Sequence, residues 1–286
     1  MRFFFISLLL LNSVAVSAQY VVDVQVVDLQ VSVIDQEHNF VNVVKPEDFL
    51  IWEDGQPQEV LDVESARDPF SIGVLLDTSS SMHPYWRISA RGTEDFLWSL
   101  KAEDEFFLMT FDDRILLKKD FGFADQRSSV QLKSLRYGDE TKMYDGILAA
   151  IKRLQNAHYP RRALFIISDG INTSGAGDLN EAIEAAQKNK VLIYTLLLDS
   201  DDIEMNPLRH LSEATGGTYF ILYGNYPRLE AAYERIANDL AHRFTLFYRS
   251  RSDYSKKRKP EIKVAMKNPK WKVEFQKAYF PQTPHP

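Results

Sequence analysis

Five oxygen-bearing side chains are placed so that they could meet around one cation. Asp77, Ser79 and Ser81 alternate in IGVLLDTSSSM (Ile72–Met82), where an apolar run enters an acidic, hydroxyl-rich turn. Asp169 directly follows a second apolar run, ALFIIS, and Thr141 lies in GDETKMYDG, just ahead of an amphipathic stretch. Carboxylate and hydroxyl oxygens are the hard ligands that Mg²⁺ and Ca²⁺ prefer. The first three residues alone have a plainer explanation, because Asp and Ser also cap helix N-termini and a helical stretch begins near Ile88. If the strands carrying Asp77 and Asp169 are neighbours where strand order reverses, both carboxylates face the crevice that open α/β sheets offer to ligands. Five oxygens fall short of a full coordination shell, which leaves a position for water or for a partner's oxygen.

The elements that must position these residues follow from the hydrophobic pattern. From Phe70 to Arg243 short apolar runs alternate with amphipathic stretches, which calls for a doubly wound, mostly parallel six-stranded sheet with helices on both faces. The expected strands are 71–77, 105–111, 115–121, 163–168, 191–199 and 217–223, and the clearest helices are 88–100, 143–154, 178–188 and 228–243. The link Asp112-Asp113-Arg114 is so short that strands 105–111 and 115–121 should form an antiparallel hairpin at a sheet edge. Before this region, Val21–Asp35 alternates with one change of phase between Val26 and Val27, read as a bulged or bent strand, and two more strands flank Asp54-Gly55. After it, 244–250, 261–266 and 271–280 alternate again.

Four segments result: a signal peptide (1–18), an N-terminal β segment (19–69), the α/β domain (70–243) and a C-terminal β segment (244–286). Arg2 followed by FFFISLLLL and by small residues at Val16 and Ala18 reads as a secretory signal cleaved near Ala18/Gln19, with an uncleaved anchor as the alternative. That places the mature chain outside the cell or in a periplasm, with no membrane span after cleavage. The absence of cysteine excludes disulfides, thiolate metal sites and a cysteine nucleophile.

A net charge of −6 does not point to nucleic acid, but the distribution of charge along the chain is informative. Residues 19–70 carry twelve acidic and two basic side chains, net −10, whereas 243–277 carry twelve basic and three acidic, net +9. Opposite signs at the two ends favour their pairing into one small β module, read as a β-sandwich. The basic loop 252–260 is read as a solvated hairpin loop, with a tail for an anionic partner as the alternative.

The set Asp77, Ser79, Ser81, Thr141 and Asp169 resembles the metal-ion-dependent adhesion site of the von Willebrand factor type A domain, an Asp-x-Ser-x-Ser pattern followed by a Thr and an Asp. The resemblance covers about Phe70–Arg243 and fills all five positions. It implies Mg²⁺, or Ca²⁺ or Mn²⁺, held in part through water and completed by a carboxylate of a protein partner. Ser80 stands where that family most often has Gly, and Asp139-Glu140 add negative charge beside the site. The flank VSVIDQEHNFVNVVKPEDFLIWEDGQPQEV (Val31–Val60) resembles a bacterial subgroup of secreted type A proteins, which implies that the two β segments join.

Other chemistry finds little footing. Gly175-Ala176-Gly177 lacks a third glycine, no phosphate-binding Gly-Lys-Thr/Ser loop occurs, and Ser79 and Ser81 lack a Gly-x-Ser-x-Gly context. His83 reads as a rim or helix-start residue, Asp145 as a support of the loop after Thr141, and Tyr85 and Trp86 as covers of the loop. The expectation is a secreted or periplasmic, non-enzymatic module that binds an acidic group of a protein through a divalent cation. A metal-dependent phosphoester hydrolase and a scaffold with a vestigial metal site are the alternatives.

Overall fold

The structure, a computed structural model, describes residues 25–65, 68–124, 132, 136–198, 205–222, 227–250 and 260–275. The signal segment, the start of the first expected strand, the basic loop 252–259 and residues 276–280 of the last expected strand lie outside the described residues. No helix among the described residues is long and apolar enough to cross a membrane.

The chain begins with β1 (Gln25–Ile34), β2 (Phe49–Glu53) and β3 (Gln56–Ser65). Asp54 and Gly55, at φ 49° and 77°, make the left-handed pair that a two-residue hairpin turn requires. The α/β unit follows: β4 (Ser71–Asp77), α1 (Trp86–Ser99), β5 (Glu105–Phe111), β6 (Ile115–Phe123), α2 (Met143–Leu154), β7 (Arg162–Ser168), α3 (Leu179–Lys188), β8 (Val191–Leu198), α4 (Pro207–Thr215), β9 (Tyr219–Leu222) and α5 (Pro227–Ala241). Strands β10 (Phe244–Ser250), β11 (Ile262–Met266) and β12 (Lys272–Phe275) complete the fold.

The α/β sheet has the order β6-β5-β4-β7-β8-β9, parallel throughout except for β6, which returns antiparallel along β5 at the edge. β4 lies between β5 and β7, so strand order reverses between β4 and β7. All seven residues of β4, of β5 and all eight of β8 are buried, as continuous apolar runs in a doubly covered sheet must be. One face packs on α1 and α5 through Phe96, Leu97, Tyr233 and Ile236, and the other on α2, α3 and α4 through Ile147, Ile151, Ala182 and Leu208.

Helix α4 has no counterpart in the sequence reading, although its signals are local. Asn206 caps it by accepting from Leu208 N at 2.9 Å, Pro207 opens it, and Gly216 ends it at φ 82°.

The β module departs from expectation in size and form. It is a six-stranded antiparallel sheet of order β11-β2-β3-β10-β1-β12, as many strands as the α/β sheet, rather than a small sandwich of separate sheets. The cause is β3: its first residues, Gln56–Gln58, pair with β2, and Glu59–Ser65 pair with β10, so one strand carries the sheet around a corner. The edge strands β11 and β12 then approach each other around a shared core of Val27, Leu29, Val31, Phe49, Leu246, Tyr248 and Val264.

The expected bulge at Val26/Val27 is absent. β1 pairs with β10 in unbroken register from Gln25 to Val31, and Val26 is left 60% exposed. The irregularity lies in β3, where Leu61 is the extra residue between partners Val60↔Tyr248 and Asp62↔Phe247. That insertion puts Val60 and Val63, an odd spacing apart, against the same core.

The two chain ends thus pair, but charge contributes little to it. The cross-strand ion pair Arg249–Glu59, at 3.1 Å, is about half exposed on both sides and is worth about 0–1 kcal/mol. Each buried apolar side chain of the shared core contributes about 1.5–3 kcal/mol.

Where the units meet, two buried arginines and a partly exposed lysine find partners. Arg243, fully buried at the junction of α5 and β10, donates to Asp239 Oδ2 at 2.7 Å and to Gly216 O at 2.5 Å, and Tyr194 donates to the same carboxylate. Arg161 donates to Asp68 O and Leu240 O and lies 3.9 Å over the Phe70 ring. Lys190 reaches Asp28 of β1 at 2.5 Å.

Candidate metal centre

Asp77 ends β4 at the carboxyl edge of the sheet and is 1% exposed. Both of its oxygens are held by neutral donors: Oδ1 accepts from Ser79 N at 2.8 Å and Oδ2 from Ser168 Oγ at 2.5 Å. The turn is fixed on its other side by Thr78, whose amide and hydroxyl donate to Phe111 O at 2.8 and 3.2 Å and whose hydroxyl also reaches Asp112 Oδ2 at 3.0 Å. Gly138 N donates to Thr78 O at 3.0 Å, and Ser79 bridges to Gly138. A Cβ at Gly138 would stand 2.8 Å from the Cβ of buried Asp112, too close without a shift, so glycine suits that approach.

The helix-cap explanation for this turn fails. Ser79 occupies the N-cap of the 3-10 turn Ser80–Tyr85 without making a side-chain capping bond, and α1 begins after Tyr85, which makes none either. The Ser79 and Ser81 hydroxyls instead meet each other at 3.0 Å.

The other two residues come from loops tied to one another. Thr141 N donates to Thr173 Oγ1 at 2.7 Å, while Thr173 N and Ser174 N return to Thr141 O at 3.0 and 3.2 Å. Asn172 Oδ1 accepts from Met143 N at 2.9 Å and so caps α2 from across the gap. Asp145 accepts from Ala176 N and Gly177 N, at 3.2 and 2.8 Å. It therefore holds the loop after Asp169, not the loop after Thr141 as the sequence reading had it. Asp169, half-buried, accepts from Ile171 N at 3.0 Å. Gly170 follows at φ 82°, where an added Cβ would stand 2.6 Å from the Asn206 side chain.

The geometry brings Asp77, Ser79 and Ser81 into direct hydrogen-bonded contact or one bond removed from it. Asp169 is close enough for its charge to act on Asp77, and Thr141 is bound to the loop that carries Asp169. Burial pushes the Asp77 carboxyl up to about 7, the hydrogen bonds from Ser168 and Ser79 oppose that rise, and the Asp169 charge adds to it. Tyr137 lies near enough for Asp77 to raise its phenol pKa, after burial, and its ring meets the exposed His83 edge-on at 5.3 Å. His83 is thus a rim residue. Tyr85 packs against the core of the α1 face, and Arg87 lies 5.3 Å over the Trp86 ring.

These residues fit a hard divalent cation. The donor set is two carboxylates and three hydroxyls, and a carboxylate buried among neutral donors beside a second carboxylate is the environment a cation relieves. Among the described residues no group of three or more His, Cys, Asp or Glu is placed to hold a metal. Sequence reasoning missed Ser168, Asn172, Thr173 and Asn206. Ser168 had a signal, since it stands one residue before Asp169 on the strand paired with β4. The other three act across loops and left none. A separate cleft of about 490 Å³ lies at the opposite end of the sheet, between the units, lined among others by Asp28, Glu64, Arg162 and Lys190.

The family model of the von Willebrand factor type A domain matches residues 72–172, from β4 to the loop after β7. Solved structures share the fold. A von Willebrand factor type A protein from Catenulispora acidiphila superposes with a TM-score of 0.53 at 17% identity, over 77% of this chain and 51% of that one. Proximal thread matrix protein 1 of the mussel byssus, in a form described with a zinc-occupied MIDAS motif, superposes at 0.51 and 15% identity, over 64% of this chain and 49% of that one. The pilus adhesin SpaC from Lactobacillus rhamnosus GG, in an open conformation, superposes at 0.50 and 14% identity, over 70% of this chain and 35% of that one. The chain therefore spans about half the length, or less, of these neighbours. No curated protein matches it.

Proposed function

We propose that the α/β unit is a metal-dependent protein-binding module of a secreted or periplasmic protein. Asp77, Ser79, Ser81, Thr141 and Asp169 would hold Mg²⁺, or Ca²⁺ or Mn²⁺, and the bound cation would supply an open coordination position for a carboxylate of the partner. The neighbour with zinc at its MIDAS motif supports the same class of site here. The observation that carries the reading is Asp77, a buried carboxylate whose partners are a hydroxyl and an amide, with the Asp169 charge facing it.

This chain's own residues prepare the site. Ser168 and the Ser79 amide orient the Asp77 carboxylate, Asp112 holds the turn through Thr78, and Asn172, Thr173 and Asp145 lock the Thr141 and Asp169 loops together. Ser81 is exposed, which keeps the mouth open to a partner. The reading is of binding without turnover. Both Asp77 oxygens are engaged, and His83, the histidine on the rim, packs on Tyr137, so neither offers itself as a general base.

The test is capture of partners from the source organism's envelope fraction by the purified chain, with Mg²⁺ and with EDTA. Recovery that needs the cation and is lost in Thr141→Ala supports the reading; equal recovery in EDTA contradicts it.

A further inference from the structure

The cleft between the two units, at the end of the α/β sheet away from Asp77, has walls of opposite charge. One wall is the β1-β10-β3 surface, which lines it with Gln30, Thr245, Phe247 and Glu64. Strand register sets Gln30 opposite Thr245 and Thr245 opposite Glu64, so these three side chains stand in one row across the sheet. The other wall is built by the start of β7 and the turn between α3 and β8, which contribute Arg162 and Lys188.

The walls are tied to one another and yet stand apart. Lys190 bridges to Asp28 at 2.5 Å and Arg161 donates to Asp68 O, while about 490 Å³ stays open between them. That spacing leaves polar groups unmatched. Gln30 Oε1, an acceptor, and Arg162 Nε, a donor, are buried without a hydrogen-bond partner. Neither Arg162 nor Glu64 makes an ion pair among the described residues. A buried donor or acceptor left unmatched carries its full desolvation cost, which a molecule that meets it would relieve.

The balance of charge decides what kind of molecule that is. The lining holds four basic side chains and three acidic ones, so a simple anion would face Glu64 and Asp68 and a simple cation would face Arg162 and Lys188. A molecule carrying both signs escapes either penalty. We propose that the cleft binds a small zwitterion, a free amino acid or dipeptide, with its carboxylate on the Arg162 guanidinium, its ammonium on Glu64 and an N–H donated to Gln30 Oε1. Arginine's planar fork matches a carboxylate, and Phe247 offers an apolar surface to a side chain. A cleft between units, within the range of about 300–1,000 Å³, is where small-molecule sites concentrate. This inference does not rest on the metal-dependent reading.

The experiment is isothermal titration of glycylglycine, alanylalanine and alanylphenylalanine into the full chain in EDTA, each beside its N-acetylated and its C-amidated form at matched ionic strength. The expected result is a Kd of about 1 mM or tighter for at least one free dipeptide, weakened about tenfold or more when either of its charges is blocked. Arg162→Gln and Glu64→Gln should each weaken that dipeptide by about tenfold, and replacing EDTA by Mg²⁺ should change its affinity by less than about twofold. Glu64 is exposed, so its variant tests the site even where Arg162→Gln impairs folding. Three results overturn the inference: no binding of any free dipeptide at about 10 mM, equal binding of blocked and free forms, or binding that both variants retain. A requirement for Mg²⁺ overturns it as well, because the ligand would then sit at the metal centre.

Discussion

Two buried carboxylates of the α/β unit, Asp77 at the end of β4 and Asp239 on α5, are treated in opposite ways. Asp239, 2% exposed, receives the guanidinium of Arg243, itself 0% exposed, and the phenol of Tyr194. Burial works against the Arg243 charge, but Asp239 outweighs it and holds the guanidinium pKa above its ordinary value. Asp77, 1% exposed, receives a hydroxyl and a backbone amide, and burial pushes it up to about 7. Where the fold needs a fixed junction it supplies the countercharge from its own chain; at the mouth of the α/β sheet Asp77 is met by neutral donors, which the proposed cation would complement.

The largest effect that sharpens this contrast belongs to the junction. Arg243→Ala leaves Asp239 buried without its cation and should cost about 3–5 kcal/mol of unfolding free energy in urea titrations. A loss under 1 kcal/mol would mean that the junction charges are not compensating one another.

The opposite sign is expected at Asp77. Its pKa is raised in the folded chain from the usual 3.8 to about 7, so ionisation opposes folding. The penalty is absent below about pH 4, grows between 4 and 7 and is complete above 7. In EDTA the chain should therefore be less stable at pH 8 than at pH 5, and Asp77→Asn should remove most of that dependence and gain on the order of 2 kcal/mol at pH 8. A variant less stable than the parent at both pH values would contradict the contrast.

Smaller effects follow for the supports. Asp145→Ala frees the amides of Ala176 and Gly177 and should weaken Mg²⁺ affinity by about 10-fold in calorimetry without unfolding the chain. Arg249→Ala removes the exposed pair with Glu59 and should change stability by less than about 1 kcal/mol, since the β module is held by its core.

Much of this architecture was legible in the sequence because it is written in local periodicity. The continuous apolar runs of β4, β5 and β8 announce a covered sheet, and Asp112-Asp113-Arg114 announces the β5-β6 hairpin. The adjacency of Asp77 and Asp169 followed from where their strands end. Tertiary relations were not legible. The phase change at Val26/Val27 resembles a bulge, yet the sheet tolerates an exposed Val26 and spends its bulge at Leu61, where Val60 and Val63 must share a core. The −10/+9 asymmetry anticipated the right strand pairing for a minor reason, because one half-exposed cross-strand ion pair weighs little against a buried apolar core. At the candidate centre the sequence names five motif residues as expected ligands, whereas Asn172, Thr173, Asn206 and the contacts of Asp145 depend on loops about 30 residues apart in sequence.

The central claim is that Asp77 lacks a countercharge because a divalent cation provides it. Isothermal titration of Mg²⁺, Mn²⁺, Ca²⁺ and Zn²⁺ into the metal-free chain tests this most directly, with Thr141→Ala and Asp169→Ala alongside. The account predicts one bound cation per chain in the parent and none at the same concentrations in either variant. Absence of binding by all four cations at millimolar concentration, or binding that both variants retain, would contradict it.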